Sequence, residues 1–238
     1  MPSLSIVLPA YNEETNVAGT IESVSRVARR LGLEHEIIAV NDGSSDGTGA
    51  ILSRLAPRIT ELRVLEHHPN RGYGGALKAG FAAATMELIA FLPADGQFRF
   101  EEIDRFLEKI PTADIVCGYR AHRQDNLVRR LNGWGWNRTV RLLFGYLCRD
   151  VDCGFKLFRG DVLQRIKIAS DGAMIDAEFL ASACAWGYRI AEVPVTHLPR
   201  AGGEATGANP RVILKAFRDL LGFRLRLSRE MVLAKSRA

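Results

Sequence analysis

At 238 residues the chain can bury one sizeable core, and its 47% apolar and 25% charged residues exclude wholesale disorder and collagen-like or coiled-coil classes. The net charge of +5 is unevenly placed: residues 210–238 hold eight Lys or Arg and two acids, so residues 1–209 sum to −1. That locality excludes a broad nucleic-acid-binding face and points to a short basic tail drawn to an anionic surface.

Leu4 to Pro9 is an apolar run that reads as a strand, and Glu14 to Leu31 repeats apolar residues at helical spacing before Gly32, a helix stop. Glu36–Val40, Leu62–Glu66, Leu88–Leu92 and Ile115–Gly118 are further strand-like runs, separated by helical segments at Thr48–Leu55, Gly75–Ala84 and Glu101–Ile110. This alternation predicts an α/β fold with a mainly parallel central sheet and helices on both faces. Asn126 to Arg149 is a basic, aromatic segment read as a helix with a loop after it. Asp176–Trp186 reads as helix, Tyr188–Val195 as strand, and a final helix runs from about Pro210 to Met231. The expected organisation is a catalytic domain at 1–209 followed by an amphipathic basic helix and tail at 210–238.

No run reaches the roughly 18–20 apolar residues of a spanning helix, and the amino terminus lacks a basic start followed by a long apolar stretch. The expectation is therefore a cytoplasmic protein, peripheral on the cytoplasmic face of the membrane. Cys117, Cys148, Cys153 and Cys184 share no metal-ligand or redox spacing and read as reduced core thiols.

In a parallel sheet the ligand lies beyond the carboxyl ends of the strands. The segments there are polar and specific: Pro9–Ala10–Tyr11–Asn12–Glu13–Glu14, Asn41–Asp42–Gly43–Ser44–Ser45–Asp46–Gly47–Thr48, Asn70–Arg71–Gly72–Tyr73–Gly74–Gly75 and Pro93–Ala94–Asp95–Gly96–Gln97. Asp42 and Asp46 flank small residues that admit a nucleotide closely, although Asp-Gly-Ser-Ser also makes an ordinary turn and helix cap. Asp95 can bridge through Mg²⁺ or Mn²⁺ to a diphosphate, since these ions favour few protein carboxylates plus phosphate oxygens; the alternative is a turn aspartate before Gly96. No Gly-Lys-Ser/Thr follows the glycines at 72–75 and no Rossmann fingerprint follows the first strand, which disfavours P-loop and dinucleotide enzymes.

Taken together, these segments resemble the family 2 glycosyltransferases of GT-A fold, and within them the dolichol-phosphate mannosyltransferase (polyprenyl-phosphate glycosyltransferase) branch. The resemblance covers nearly the whole chain. It implies donor binding by Pro9, Ala10, Tyr11, Asn12, Glu13, Asp42, Gly43 and Ser44, and metal and diphosphate roles for Asp95 and Gln97. Pro93 stands where that family's Asp-Ala-Asp-Xaa-Gln element has its first aspartate, and a proline side chain can neither ligate metal nor accept a hydrogen bond. Arg120, in Gly118–Tyr119–Arg120, and Arg200 resemble the family's phosphate-contacting arginines. Lys156 closes the Gly154–Phe155–Lys156 element.

The function implied is inverting transfer of a sugar, mannose first and glucose second, from a nucleotide-sugar donor to a polyprenyl phosphate. A soluble sugar acceptor is one alternative; a non-catalytic nucleotide-sugar-binding protein is the other. Trp134, Trp136 and neighbouring aliphatics interleave with Arg129, Arg130, Arg138 and Arg141, which suits a membrane interface, and Arg129, Arg130, Arg138 and Lys156 are the expected acceptor contacts. Ile213, Ala216, Phe217, Leu220, Leu227 and Met231 share one face of the final helix, suited to a membrane surface or to a homo-oligomer interface.

Overall fold

The computed structural model describes residues 2–121, 127–199 and 210–235. Strand β1 (Leu4–Ala10) is followed by α1 (Val17–Arg30), β2 (His35–Asn41), α2 (Thr48–Leu55), β3 (Leu62–Glu66), α3 (Gly72–Ala83) and β4 (Leu88–Phe91). A single 3₁₀ turn at Phe100–Glu102 leads into α4 (Ile103–Leu107), then β5 (Ile115–Arg120) and α5 (Leu127–Phe144). The chain continues through β6 (Lys156–Arg159), α6 (Val162–Arg165), α7 (Ile175–Ala185), β7 (Ile190–Val195) and α8 (Pro210–Lys235).

The sheet has the order β3-β2-β1-β4-β6-β5-β7 and is parallel except at β6, which runs antiparallel to both β4 and β5. That strand had no counterpart in the sequence reading. Its four residues begin with Lys156 and end with Arg159, so no apolar run advertises it.

Alternation along β1 sends Leu4, Ile6 and Leu8 into one apolar cluster and Val7 into a second on the opposite face. The first cluster is covered by α1, α2 and α4, through Val17, Ile21, Val24, Leu52 and Phe106. In the second, Phe81, Phe91, Phe158 and Phe179 pack as an aromatic chain with centroids 5.4 Å apart for Phe81–Phe158 and 4.9 Å for Phe158–Phe179.

Helix α8 belongs to that second core. Leu220, Phe223 and Leu227 are buried, with Ala216, Phe217 and Met231 packed beside them. Of the apolar face read from sequence as a membrane or oligomer face, Ala216, Phe217, Leu220, Leu227 and Met231 are thus spent on the chain's own interior, while the side chain of Ile213 lies outside the described residues; α8 is an integral layer of the fold. Among the described residues no helix is long and apolar enough to cross a membrane. Cys117, Cys148 and Cys153 are buried free thiols and Cys184 is exposed.

Gly80 sets how closely α3 approaches β1, because a Cβ there would stand 2.2 Å from Val7 Cγ1. Gly80→Ala is expected to force the layers apart and to destabilise the fold by about 1–3 kcal/mol. Chemical denaturation of the two proteins side by side measures this, and an unchanged midpoint would mean the layers yield freely.

Candidate active site

The carboxyl ends of β1 to β4 open into one cleft of about 980 Å³, closed on its far side by residues 169–174 and by α8. It lies where the strand order turns outward on either side of β1, the position at which α/β sheets bind ligands. Pro9, Ala10, Tyr11, Glu13, Asp42 and Asp95 line it, together with Asn70, Arg71, Tyr73 and Pro93.

Asn12 takes a left-handed conformation at φ 54°, which asparagine tolerates better than most residues. Its N–H donates to Ser44 Oγ at 3.0 Å, and its Oδ1 accepts the Ser45 N–H at 2.8 Å. The first two loops are therefore stitched together by Asn12 and Ser44, neither of which lines the cleft. Glu13 is held by Asn16 Nδ2, which donates to its carboxylate at 2.8 Å. Asp46, paired with Asp42 in the sequence reading, turns elsewhere: its oxygens accept the Thr48 and Glu14 N–H groups at 3.0 and 3.1 Å. Burial opposes ionisation of Asp46, but the bonds from Thr48 and Glu14 outweigh it and hold its pKa below the usual value.

Asp42 is buried, and its Oδ1 accepts the Arg71 N–H at 2.9 Å and bonds His67 Nδ1 at 2.7 Å. Asn70 Nδ2 donates to the Asp42 carbonyl at 2.7 Å. Gly43, at φ +71°, lies where a Cβ would come within 2.8 Å of the Asn70 nitrogen. The loops after β2 and β3 thus lock around Asp42. His67 was invisible to sequence reasoning, because nothing in the spacing links it to a carboxylate on another strand.

The glycines that open α3 seat another loop. Gly74 and Gly75 N–H donate to the Asp171 carbonyl at 2.9 and 3.3 Å, and a Cβ on Gly74 would stand 2.6 Å from the Ser170 carbonyl oxygen. Buried Glu178 accepts the Ala169 and Ser170 N–H groups at 3.2 and 2.8 Å, and Lys78 Nζ donates to the Ala169 carbonyl at 3.0 Å. This wall is firmly tethered.

After β4, Asp95 Oδ1 accepts the Gln97 N–H at 3.0 Å. The Gln97 amide donates to the Leu198 carbonyl at 3.0 Å, so Gln97 clamps the segment after β7 and is not part of the cleft lining. Pro93 packs on Gly154, where a Cβ would meet its ring at 2.8 Å.

Behind that contact lies a buried charge network. Arg120 holds Asp150 with two bonds of 2.7 and 2.8 Å, and although burial works against its charge, Asp150 raises its pKa. Lys156 is fully buried and donates to Asp176 and to the carbonyls of Val151 and Cys153. An ammonium has three N–H donors, so none is left for an acceptor phosphate; Lys156 pins the floor of the site and does not reach a ligand. Burial disfavours the Lys156 charge, but Asp176 overrides it and raises the pKa. Among the described residues Asp152 Oδ1 is sealed from solvent without a hydrogen-bond partner, and burial followed by the charges of Asp176 and Asp150 pushes its pKa up to about 7. Of the remaining expected contacts, Arg138 is exposed on α5 away from the cleft lining, while Arg200 and the side chains of Arg129 and Arg130 lie outside the described residues.

The sequence profile of glycosyl transferase family 2 matches residues 5–167. The chain belongs to that family. Among its relatives are the undecaprenyl-phosphate mannosyltransferase of Micrococcus luteus, 30% identical over 84% of this chain and 85% of that one, and the dolichyl-phosphate beta-glucosyltransferase of Dictyostelium discoideum, 30% identical over 81% of this chain. The chain spans 65% of the length of that Dictyostelium protein. The solved structure of glucosyl-3-phosphoglycerate synthase from Mycobacterium tuberculosis with UDP superposes at a TM-score of 0.72 over 94% of this chain and 80% of its own, at 19% identity. This family 2 enzyme is a glycosyltransferase of GT-A fold.

The synthase has also been solved with Mn²⁺, UDP and phosphoglyceric acid. In this family 2 enzyme, among the described residues, no cluster of three or more His, Cys, Asp or Glu is arranged to hold a metal ion. Asp95 stands in the cleft while the Pro93 side chain offers no ligand atom. A single carboxylate fits an ion that arrives with a nucleotide diphosphate and keeps phosphate oxygens and waters as its other ligands.

Proposed function

We propose that this glycosyltransferase moves a hexose, mannose first and glucose second, from a nucleotide diphosphate sugar to a polyprenyl phosphate. The observation that carries this reading is the convergence of Tyr11, Glu13, Asp42 and Asp95 on one cleft, in a chain whose relatives are named for transfer to undecaprenyl and dolichyl phosphate.

Asp42, fixed by His67 and Arg71, is the contact for the nucleoside, with Tyr11 beside it. Asp95, oriented by the Gln97 N–H, would hold Mg²⁺ or Mn²⁺ against the diphosphate. The ion would supply charge neutralisation on the departing nucleotide. Arg200 contacts the acceptor phosphate, and Arg120 acts by holding Asp150 and hence the floor against Pro93. A phosphate monoester, with its second pKa near 6, is largely dianionic at neutral pH and attacks without a strong general base. Catalysis then consists of in-line alignment and charge neutralisation, and a single displacement inverts the anomeric carbon. The acceptor ties the enzyme to the cytoplasmic face of a membrane.

The test is a panel of nucleotide sugars against three acceptors: a polyprenyl phosphate, the corresponding free polyprenol and a soluble phosphorylated acid. Transfer to the polyprenyl phosphate alone is expected, because the phosphate supplies both the nucleophilic oxygen and the charge that is held. Equal turnover of the alcohol refutes the mechanism, and preference for the soluble acid replaces the acceptor.

A further inference from the structure

Helices α5 and α8 together carry eleven Lys or Arg and two acids, a net +9 that leaves −4 for the rest of the chain. They lie side by side, Trp136 meeting Phe217 edge-on at 5.3 Å and Phe144 resting against Phe223 at 5.5 Å. What remains outside is a second apolar set. Leu131, Trp134 and Leu142 on α5 are 67%, 65% and 73% exposed, and Leu221, Leu225 and Val232 on α8 are 57%, 64% and 68% exposed.

At about 100° per residue Leu221, Leu225 and Val232 form one narrow stripe on α8, bordered by Arg218 and Arg229. On α5 exposed Arg138 and Arg141 share the outward face with Trp134. Aliphatic and tryptophan side chains set among arginines, on helices with an excess of cations, match a surface that lies on anionic lipid. Self-association through this face would oppose two strongly positive surfaces, which disfavours a second copy as the occupant. Helix α8 also walls the cleft, through Ala216, Asp219, Gly222 and Arg226.

We propose that the outward face of the α5–α8 pair is a docking platform for an anionic lipid bilayer, and that it seats the mouth of the cleft at that surface, so that a lipid-borne phosphate enters along α8. The second half rests on the polyprenyl-phosphate reading of the acceptor; the docking does not.

The full chain would be floated with vesicles of phosphatidylcholine alone and with an equimolar mixture of phosphatidylcholine and phosphatidylglycerol, at low and raised salt, beside the triple variant Trp134→Gln, Leu221→Gln, Leu225→Gln. All three positions are exposed and outside the cleft lining, so the variant should melt as the parent does. Salt-sensitive flotation with the anionic vesicles is expected, weakened about tenfold or more in the variant. Transfer to a long-chain polyprenyl phosphate in those vesicles should fall in parallel, with transfer to a short-chain, water-soluble prenyl phosphate unchanged. Parent-level flotation of the variant overturns the platform, as does a parent that ignores anionic vesicles but runs as a dimer that the variant dissolves. Flotation as expected, without transfer to any prenyl phosphate, retains the platform and rejects the acceptor.

Discussion

Asp95→Asn is expected to lower single-turnover transfer by about 10²-fold or more, with donor affinity losing its dependence on Mn²⁺ and the melting temperature unchanged. Asp95 is the carboxylate presented from the end of β4, and Pro93 two residues earlier has no side-chain ligand atom with which to share the task. Asparagine keeps size and shape and can still accept the Gln97 N–H, so the loss isolates the charge. Single-turnover rates and donor binding with and without Mn²⁺, alongside thermal melting, are the measurements. Parent-level transfer by the variant would remove Asp95 from the mechanism and make this a glycosyltransferase that works without a metal at that position.

Lys156→Met should act on the fold and not on a ligand. It leaves Asp176 buried without its cation, beside Asp150 and Asp152, and breaking a buried pair from one side costs about 3–5 kcal/mol. For a chain of this size that corresponds to a fall in melting temperature of about 6–20 °C. The double variant Lys156→Met, Asp176→Asn should recover part of the loss, since the uncompensated charge goes too. A melting temperature within about 2 °C of the parent, with transfer reduced, would return Lys156 to the acceptor role that the sequence suggested.

The contrast between these two residues explains what could be read in advance. Both are charged residues in short motifs that resemble the family's. Asp95 projects from the carboxyl end of a parallel strand into the cleft; Lys156 begins the antiparallel strand β6 and points into the core. Strand direction decides between them, and β6 is too short and too charged at its ends for periodicity to reveal it. The contacts that hold Arg120 and Gln97 were hidden for a related reason: their partners, Asp150 and the Leu198 carbonyl, come from distant loops that no local pattern connects to them.

The sequence by itself determined the alternating strands and helices, the parallel sheet and the segments that would gather at its carboxyl edge, because period-two and helical apolar patterns and Gly or Pro punctuation are local consequences of backbone geometry. It also determined that α8 would be amphipathic. Only the tertiary structure decided which face of α8 is buried, since the apolar stripe fits a membrane, a partner or the chain's own core equally well and the packing of Leu220, Phe223 and Leu227 selects the last. It likewise decided which polar residues meet the cleft and which hold its loops together, because hydrogen-bond partners such as Asp42 and His67, or Asn12 and Ser44, are brought together by topology and not by spacing along the chain.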